Sequence, residues 1–284
     1  MRRLNIANIC ERIAVQAPYF AFGDLEEGED GTIHGAFASE QAIGYERGPI
    51  ASAEIGRHLA ILGSCAAAAR SGAERIYYLA TKARYSKLSD ARYQGTGREF
   101  QALSEVLKQD RRSLAAQAVV GGDDGPFAHL HCEYQALSAP VFARLFEDFR
   151  TEQRFIPDGS PYRHPIALTF QEPRGRVLTA RSQPLPPVRC AGHFLDYPAW
   201  PIAIIAETIT QVVTRLLHHI VGREVDYSVV RTDIAALKLV SAASELLFEV
   251  ESLSASRALS HYAFSARVKR EGEVVVSFET ELQV

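Results

Sequence analysis

The sequence predicts an α+β fold made of two similar units, each with an antiparallel sheet wrapped around one long central helix. Two long apolar segments, residues 50–70 and 201–221, have helical character. Each is followed by several segments with the alternating pattern of β-strands. A helix that is apolar almost all round must be covered on most of its faces, so a sheet that wraps it is the economical arrangement.

In the first unit, strands are predicted on both sides of the helix. Two less clear strands precede it, at residues 13–22 and 32–37. The small residues at positions 66–69 would let a sheet approach the helix closely. The later elements of this unit are strands at residues 75–85, 100–108, 112–120 and 127–137, a glycine-rich hairpin turn at 121–125, and a short closing helix at 142–149.

The second unit repeats this plan. Two strands are expected before its helix, at residues 166–170 and 175–180. Pro201 suits the first turn of the helix, where a missing N–H is harmless, and Gly222 suits its C-terminal end. The strands expected after the helix are residues 235–240, 246–253, 260–269 and 273–282, with a turn at Glu271 and Gly272.

The repeat also predicts how the chain divides. Residues 113–120 align with residues 261–268 to within one position, so both terminal hairpins superpose. A segment rich in Pro, Gly, Asp and Arg, residues 152–165, has the composition of a linker. We therefore expect domains at 1–155 and 156–284. Two such units with their sheets paired edge to edge form a double hotdog.

Composition narrows the classes of function. Apolar residues make up 47% of the chain and charged residues 23%, as in a globular protein. A net charge of -3 gives no electrostatic case for binding nucleic acid. No apolar window is long enough for a membrane span, and the N-terminus lacks a secretory apolar core, so a cytoplasmic protein is expected. The four cysteines lie far apart, and nothing implies a metal.

One short region carries residues suited to proton transfer. His193 and Phe194 lie on a turn rich in aromatic residues and proline, and Glu207 and Gln211 lie in the apolar helix that follows. Burying an unpaired carboxylate is costly, so such a group is retained chiefly where chemistry or a partner needs it. With both helix-flanking prolines, these residues resemble at matching spacing the signature of the 3-hydroxyacyl-carrier-protein dehydratases of fatty-acid synthesis.

The resemblance implies a role for each residue. His193 would remove the Cα proton of a 3-hydroxyacyl thioester, and protonated Glu207 would donate to the departing hydroxyl. Gln211 shares a helix face with Glu207 and could hydrogen-bond it. A backbone N–H near Ile202 would bind the thioester carbonyl. The substrate would be carried on the phosphopantetheine of an acyl carrier protein or of CoA, in fatty-acid, polyketide or related secondary metabolism, without any separate cofactor.

The chain also departs from that signature. Leu195 and Asp196 stand where the family has Pro-Gly, and Ile202 stands where it has the glycine that opens the helix. Trp200 lies beside the same entrance, so it is expected to contact the substrate together with Phe194 and Ile202. These side chains narrow or reshape the pocket relative to the family.

The first half lacks the histidine and leaves other functions open. Aligning Pro49 with Pro201 places Gln41 at the position of His193 and Glu54 within one residue of the position of Glu207. A helix glutamate without a histidine resembles the hotdog thioesterases, so an acyl thioesterase using Glu54 or Glu207 is the alternative, with a structural role for Glu54 beside it. A non-catalytic scaffold that binds acyl groups or a carrier protein is the third hypothesis. The assembly is expected to be a monomeric double hotdog or its homodimer.

Overall fold

The computed structural model describes residues 1–90, 99–122, 125–152 and 157–284. Four α-helices lie in these ranges: α1 (Ile6–Ile13), α2 (Ser52–Arg70), α3 (Ala139–Leu145) and α4 (Ile202–Val221). Short 3-10 helices are found at Glu147–Phe149, Pro161–Arg163 and Pro187–Cys190. Among the described residues, no helix combines the length and the hydrophobicity needed to cross a membrane.

Antiparallel strands make up most of the remaining structure. The first half contains β1 (Arg2–Arg3), β2 (Phe22–Glu27), β3 (Ile33–Ala38), β4 (Ile76–Lys87), β5 (Glu99–Gln109), β6 (Ser113–Gly122) and β7 (Gly125–Ser138). The second half contains β8 (Leu168–Phe170), β9 (Val177–Ser182), β10 (Ser228–Ala236), β11 (Leu247–Ser256), β12 (His261–Arg270) and β13 (Glu273–Gln283). Across the described ranges they form one sheet in the order β1-β2-β3-β5-β6-β7-β4-β10-β13-β12-β11-β9-β8.

This strand order contains the internal repeat. Read outwards from its centre, β4-β7-β6-β5-β3-β2 in one direction corresponds to β10-β13-β12-β11-β9-β8 in the other. Strands β6 and β12 begin at Ser113 and His261, the two positions that the sequence alignment matches. Helix α2 packs against the strands of the first half and α4 against those of the second. Each half is thus a sheet wrapped around its own helix.

The two half-sheets join through β4 and β10. Their antiparallel pairing runs from Arg231 opposite Ser86 to Ala235 opposite Lys82. An ion pair between Arg84 Nε and Asp233 Oδ1, 2.6 Å apart, crosses this seam. Helix α2 also packs against α4. The edge-to-edge pairing expected of a double hotdog is therefore present.

Two of the predicted elements were wrong. Residues 13–22 were expected to be a strand, but α1 ends at Ile13 and β2 begins at Phe22. The side chain of Asn5 caps α1 by accepting a hydrogen bond from the N–H of Asn8 at 3.0 Å, and Ile9 and Ile13 are buried on one helix face. A strand was also expected at residues 235–240, whereas β10 ends at Ala236.

The residues after β10 leave the sheet because other backbone groups compete for them. Leu237 still donates its N–H to Val275 O in β13, but Val240 O accepts the N–H of Trp200 at 2.9 Å and Ala242 donates its N–H to Pro198 O at 3.0 Å. Strand β10 begins earlier than predicted, at Ser228, and its charged residues Arg231 and Asp233 hid the alternating apolar pattern of a strand. The predicted domain boundary at residue 155 lies outside the described residues.

Candidate active site

The turn that carries His193 depends on a glycine. Gly192 has a positive φ of +84°, and a Cβ added there would lie 2.2 Å from the backbone oxygen of Gln16. Gln16 donates its N–H to Gly192 O at 2.8 Å, and His193 donates its own N–H to Cys190 O at 3.0 Å. Glycine is therefore required here for both conformation and space. It brings the second half into contact with the first and fixes the position of His193.

His193 is a buried, neutral imidazole. Its side chain packs edge-on against Tyr19, with ring centroids 4.9 Å apart, and against Phe194 at 4.0 Å. Burial lowers the pKa of His193 to about 3, and a hydrogen bond with the backbone of Ala199 opposes this only in part. Its Nδ1 atom is buried and has no hydrogen-bond partner in the described part of the chain. Such a group is a poor proton acceptor at neutral pH but retains an unsatisfied polar atom.

Glu207 lies in a different polar environment. The carboxylate is half-buried on α4, and its Oε2 accepts a hydrogen bond from Gln41 Nε2 at 3.2 Å. Burial raises the pKa of Glu207 to about 7, opposed by the positive charges of Arg189 and Arg57 and by the Gln41 hydrogen bond, with Glu54 adding to the increase. Its Oε1 makes no hydrogen bond to any described residue. Glu207 can therefore be either charged or neutral near pH 7.

The structure assigns His193 and Glu207 to two separate clusters. No hydrogen bond, ion pair or ring contact joins them within the described ranges. Glu207 instead meets Gln41, which precedes the helix of the other half, whereas His193 packs on Tyr19 beside Arg57. Arg57 and Glu207 are each the sixth residue of their helices. Each loop before a helix thus faces the helix of the opposite half.

Arg57 is a cation in the protein interior, only 1% exposed. Its Nη2 pairs with Glu40 Oε1 and lies 3.8 Å from Glu54 Oε1. Its guanidinium carbon is 5.2 Å from the Tyr162 ring centroid and 5.8 Å from that of Tyr19. Its Nε and Nη1 atoms are buried without hydrogen-bond partners among the described residues. The positive charge of Arg57 is therefore balanced by carboxylates, but two of its N–H donor atoms have no acceptor among the described residues.

Glu54 holds a loop in place. Its carboxylate is fully buried and accepts the backbone N–H of Glu40 at 2.7 Å and that of Gln41 at 3.2 Å. Burial raises its pKa, and these two hydrogen bonds and Arg57 oppose the rise. Because both oxygens bind the backbone next to Gln41, Glu54 positions the amide that contacts Glu207.

A cavity of about 190 Å³ runs between α2, α4 and the seam strands. Its wall is mainly apolar and includes His193, Arg57, Phe194, Trp200, Ile202 and Ala203. The α4 N-cap, Pro201, offers no side-chain cap, and the N–H groups of Ile202 and Ala203 have no acceptor among the described residues. The cavity is suited to an acyl chain with a polar group at one end.

Three of the remaining predicted site residues line the cavity, and the fourth does not. Phe194, Trp200 and Ile202 lie on the cavity wall, and their role in substrate binding stays a prediction. Gln211 lies one turn after Glu207, but its Nε2 is buried without a partner among the described residues, so the expected hydrogen bond to Glu207 is absent.

Sequence reasoning missed two of the site residues in part. Gln41 was aligned with the position of His193, but its contact with Glu207 was not predicted. Arg57 was not singled out, because aligning prolines places Glu54 near the Glu207 position, whereas counting from the first helical residue selects Arg57.

Solved structures similar to this chain are double-hotdog proteins. A tesB protein of Mycobacterium avium subspecies paratuberculosis has a TM-score of 0.59 at 11% identity, covering 98% of this chain and 99% of that one. An acyl-ACP thioesterase from Bacteroides thetaiotaomicron has a TM-score of 0.56 at 14% identity, covering 90% and 99%. The acyl-CoA thioesterase II TesB2 from Mycobacterium marinum has a TM-score of 0.54 at 14% identity, covering 96% and 97%. Sequence comparison alone gives no match to a family model or to a curated protein.

These likenesses confirm the predicted double hotdog and correct the predicted activity. The prediction of a 3-hydroxyacyl thioester dehydratase was wrong: the similar structures are mostly described as thioesterases. The geometry gives the physical reason. That reaction needs His193 and Glu207 on one substrate, yet they belong to separate clusters, and a pKa of about 3 leaves His193 too weak a base.

Proposed function

We propose that the protein hydrolyses acyl thioesters, with Glu207 as the general base. The observation that supports this most directly is the state of its carboxylate. Gln41 binds one oxygen, the other is free of hydrogen bonds to described residues, and burial brings the pKa to about 7. A base whose pKa lies near the working pH is efficient in proton transfer. The likeness in fold to thioesterases points in the same direction.

In this mechanism Glu207 activates a water molecule. The free Oε1 accepts a proton as the water oxygen bonds to the thioester carbonyl carbon. The tetrahedral intermediate then collapses, the carbon–sulfur bond breaks, and the proton on Glu207 passes to the departing thiolate. The products are a carboxylic acid and a thiol, and water is the sole co-substrate.

Unpaired amide groups beside Glu207 are suited to holding that water. Gln41 Oε1 and Gln211 Nε2 are both buried without partners in the described part of the chain. One is an acceptor and the other a donor, so together with Glu207 they match the hydrogen-bonding capacity of water. Preorganised polar groups of this kind do not have to reorient during the reaction.

The start of α4 is suited to stabilising the developing oxyanion. Ala203 precedes Glu207 by one turn, so the two residues share a helix face. Ala203 lies on the cavity wall, in the first turn of α4, and its own N–H has no acceptor in the described part of the chain. A carbonyl oxygen placed there would accept an N–H in the positive end of the helix dipole.

Glu207 fits the role of base better than Glu54 does. Both oxygens of Glu54 are occupied by backbone N–H groups, and its side chain is fully buried, so a water molecule cannot reach it without disrupting the loop. We therefore assign catalysis to Glu207 and positioning of Gln41 to Glu54. The substrate would be an acyl group carried on CoA or on the phosphopantetheine of an acyl carrier protein.

Replacing Glu207 tests the assignment. The Glu207→Gln substitution keeps the shape and removes the base, so the rate of thiol release from acyl-CoA should fall by about 10²- to 10⁴-fold. A thiol-reactive dye measures the rate, and circular dichroism checks the fold. The exposed Glu172 offers a matched control, and Glu172→Gln should keep the wild-type rate. Wild-type hydrolysis by Glu207→Gln would overturn the proposal.

A further inference from the structure

Two buried polar groups on the cavity wall have unsatisfied hydrogen-bonding capacity that the proposed hydrolysis does not use. Arg57 has free Nε and Nη1 atoms, and His193 has a free Nδ1 atom, when all described residues are considered. Both residues line the cavity, and both pack against the ring of Tyr19, the guanidinium carbon at 5.8 Å and the imidazole centroid at 4.9 Å. Buried polar groups are normally paired, so these two indicate a missing ligand group.

The chemistry of the two side chains restricts what that group can be. An arginine side chain only donates hydrogen bonds, so the ligand atom near it must be an acceptor. A neutral imidazole presents one donor and one acceptor nitrogen. The hydrogen bond with the Ala199 backbone keeps the proton on Nε2 of His193, because Nδ1 has no partner among the described residues. Nδ1 is therefore an acceptor, and a hydroxyl group can accept from Arg57 and donate to Nδ1 at once. A methylene group would leave both unsatisfied.

The surrounding charges favour a neutral group over a carboxylate. Arg57 already pairs with Glu40 and lies 3.8 Å from Glu54, and Glu207 lies close enough to sense the charges of Arg57 and Glu54. A further negative charge would be repelled by this acidic surrounding and would lose its hydration on entering an apolar cavity. A hydroxyl group is uncharged, so it avoids the repulsion, and hydrogen bonds to Arg57 and His193 offset its smaller loss of hydration.

We propose that the substrates are acyl thioesters whose acyl chain bears a hydroxyl group, held in the cavity by Arg57 and His193. This inference rests on the proposed hydrolysis, which sets the orientation of the acyl chain in the cavity. The residues that bind the hydroxyl group are not those that carry out the hydrolysis. Arg57 donates to the hydroxyl oxygen, and His193 completes its hydrogen bonding. An unsubstituted chain leaves Nε and Nη1 of Arg57 and Nδ1 of His193 without hydrogen-bond partners among the described residues.

Kinetics with matched substrates test the selectivity. The probes are octanoyl-CoA and octanoyl-CoA derivatives that carry one hydroxyl group at successive carbons. For at least one derivative, kcat/KM of the wild-type protein should exceed that of octanoyl-CoA by about tenfold or more. His193→Phe keeps an aromatic ring between Tyr19 and Phe194, and Arg57→Lys keeps a cation beside Glu40. Each should reduce that ratio towards one, whereas His219→Phe, at an exposed site, should not change it.

Equilibrium binding separates this inference from the proposed hydrolysis. Calorimetry with the Glu207→Gln protein measures affinity without turnover, and the hydroxylated thioester should bind about tenfold or more tightly than octanoyl-CoA. Such a preference supports the inference even if the wild-type protein proves not to hydrolyse thioesters. Equal affinities for all probes, or a preference that survives in both His193→Phe and Arg57→Lys, would overturn it.

Discussion

At the scale of single residues, three carboxylates and an arginine show how surroundings decide function. Glu54 and Glu207 are both helix glutamates with pKa values raised by burial. Glu54 uses both oxygens to hold backbone N–H groups, whereas one oxygen of Glu207 has no hydrogen bond to any residue that the structure describes. Glu40 neutralises Arg57, which allows a cation to remain in the interior. The same residue type is thus structural in one half of the chain and a candidate base in the other.

The contact between Gln41 and Glu207 predicts a shift in pH dependence. Catalysis needs ionised Glu207, so kcat/KM should rise with pH and level off above about pH 7. The Gln41 hydrogen bond lowers the pKa of Glu207, and its removal in Gln41→Leu should therefore move the inflection to higher pH. Thiol release measured across the pH range gives both profiles.

A control and a contradicting result are available for this prediction. Gln109 binds Ser71 on the far part of the first half, so Gln109→Leu should leave the inflection unchanged. An inflection that stays in place in Gln41→Leu would mean that Gln41 does not tune the base. A rate that falls as pH rises through 7 would mean that Glu207 acts in its protonated form.

The sequence could indicate individual site residues but not which of them meet. The spacing of His193 and Glu207 along the chain matches a known signature; His193 is buried on the cavity wall, and Glu207 is half-buried on α4. Spacing along one half carries no information on the partner that the other half supplies. Gln41 and Arg57 complete the two clusters across the pseudo-symmetric interface, and only the packing of α2 on α4 brings them there.

At the scale of elements, patterns with strong periodicity were reliable. The predicted helix at residues 201–221 corresponds to Ile202–Val221, and the one at residues 50–70 corresponds to Ser52–Arg70. These helices have long apolar runs and clear ends, such as Gly222, the left-handed C-cap of α4. Helix α1 was missed because the cap at Asn5 helps to determine it. The start of β10 was missed because its pairing with β4 of the other half determines it.

Close packing of α2 on its sheet predicts opposite effects of two glycine substitutions. A Cβ at Gly63 would lie 2.6 Å from Tyr134 Oη and 3.2 Å from Ala116 Cβ, whereas a Cβ at Gly56 meets nothing within 4 Å. Tyr134 is fixed because its hydroxyl donates to Ala60 O at 2.8 Å. Gly63→Ala should therefore lower the free energy of unfolding by about 1–3 kcal/mol through overpacking.

Gly56→Ala is the matched variant in the same helix. It should raise the free energy of unfolding by about 0.4–1 kcal/mol, because alanine reduces the entropy of the unfolded chain. Urea denaturation monitored by circular dichroism measures both changes. Equal effects of the two substitutions would show that α2 does not approach the sheet as closely as the structure indicates.

At the scale of the whole molecule, the candidate site belongs to neither half alone. Gln41 comes from the first half and Glu207 from the second, and the cavity wall is drawn from both helices and from both seam strands. Duplication of one unit explains why two polar clusters exist and why they differ. After duplication, the two copies could diverge, so that one cluster keeps a carboxylate with a free oxygen and the other has a histidine beside an arginine.

The same interdependence predicts that the halves stay together when the chain between them is cut. A protease recognition sequence placed between Glu152 and Pro157 allows cleavage after folding. Besides the β4–β10 ladder, Tyr227 exchanges backbone hydrogen bonds with Tyr45 and Arg47, and Gln41 donates to Tyr162 O at 3.1 Å. These contacts do not need a continuous chain, so the cleaved protein should elute as one particle in gel filtration and keep the thiol-releasing activity of the uncut variant. Separation of the fragments with loss of activity would mean that the covalent connection, rather than the seam, holds the site together.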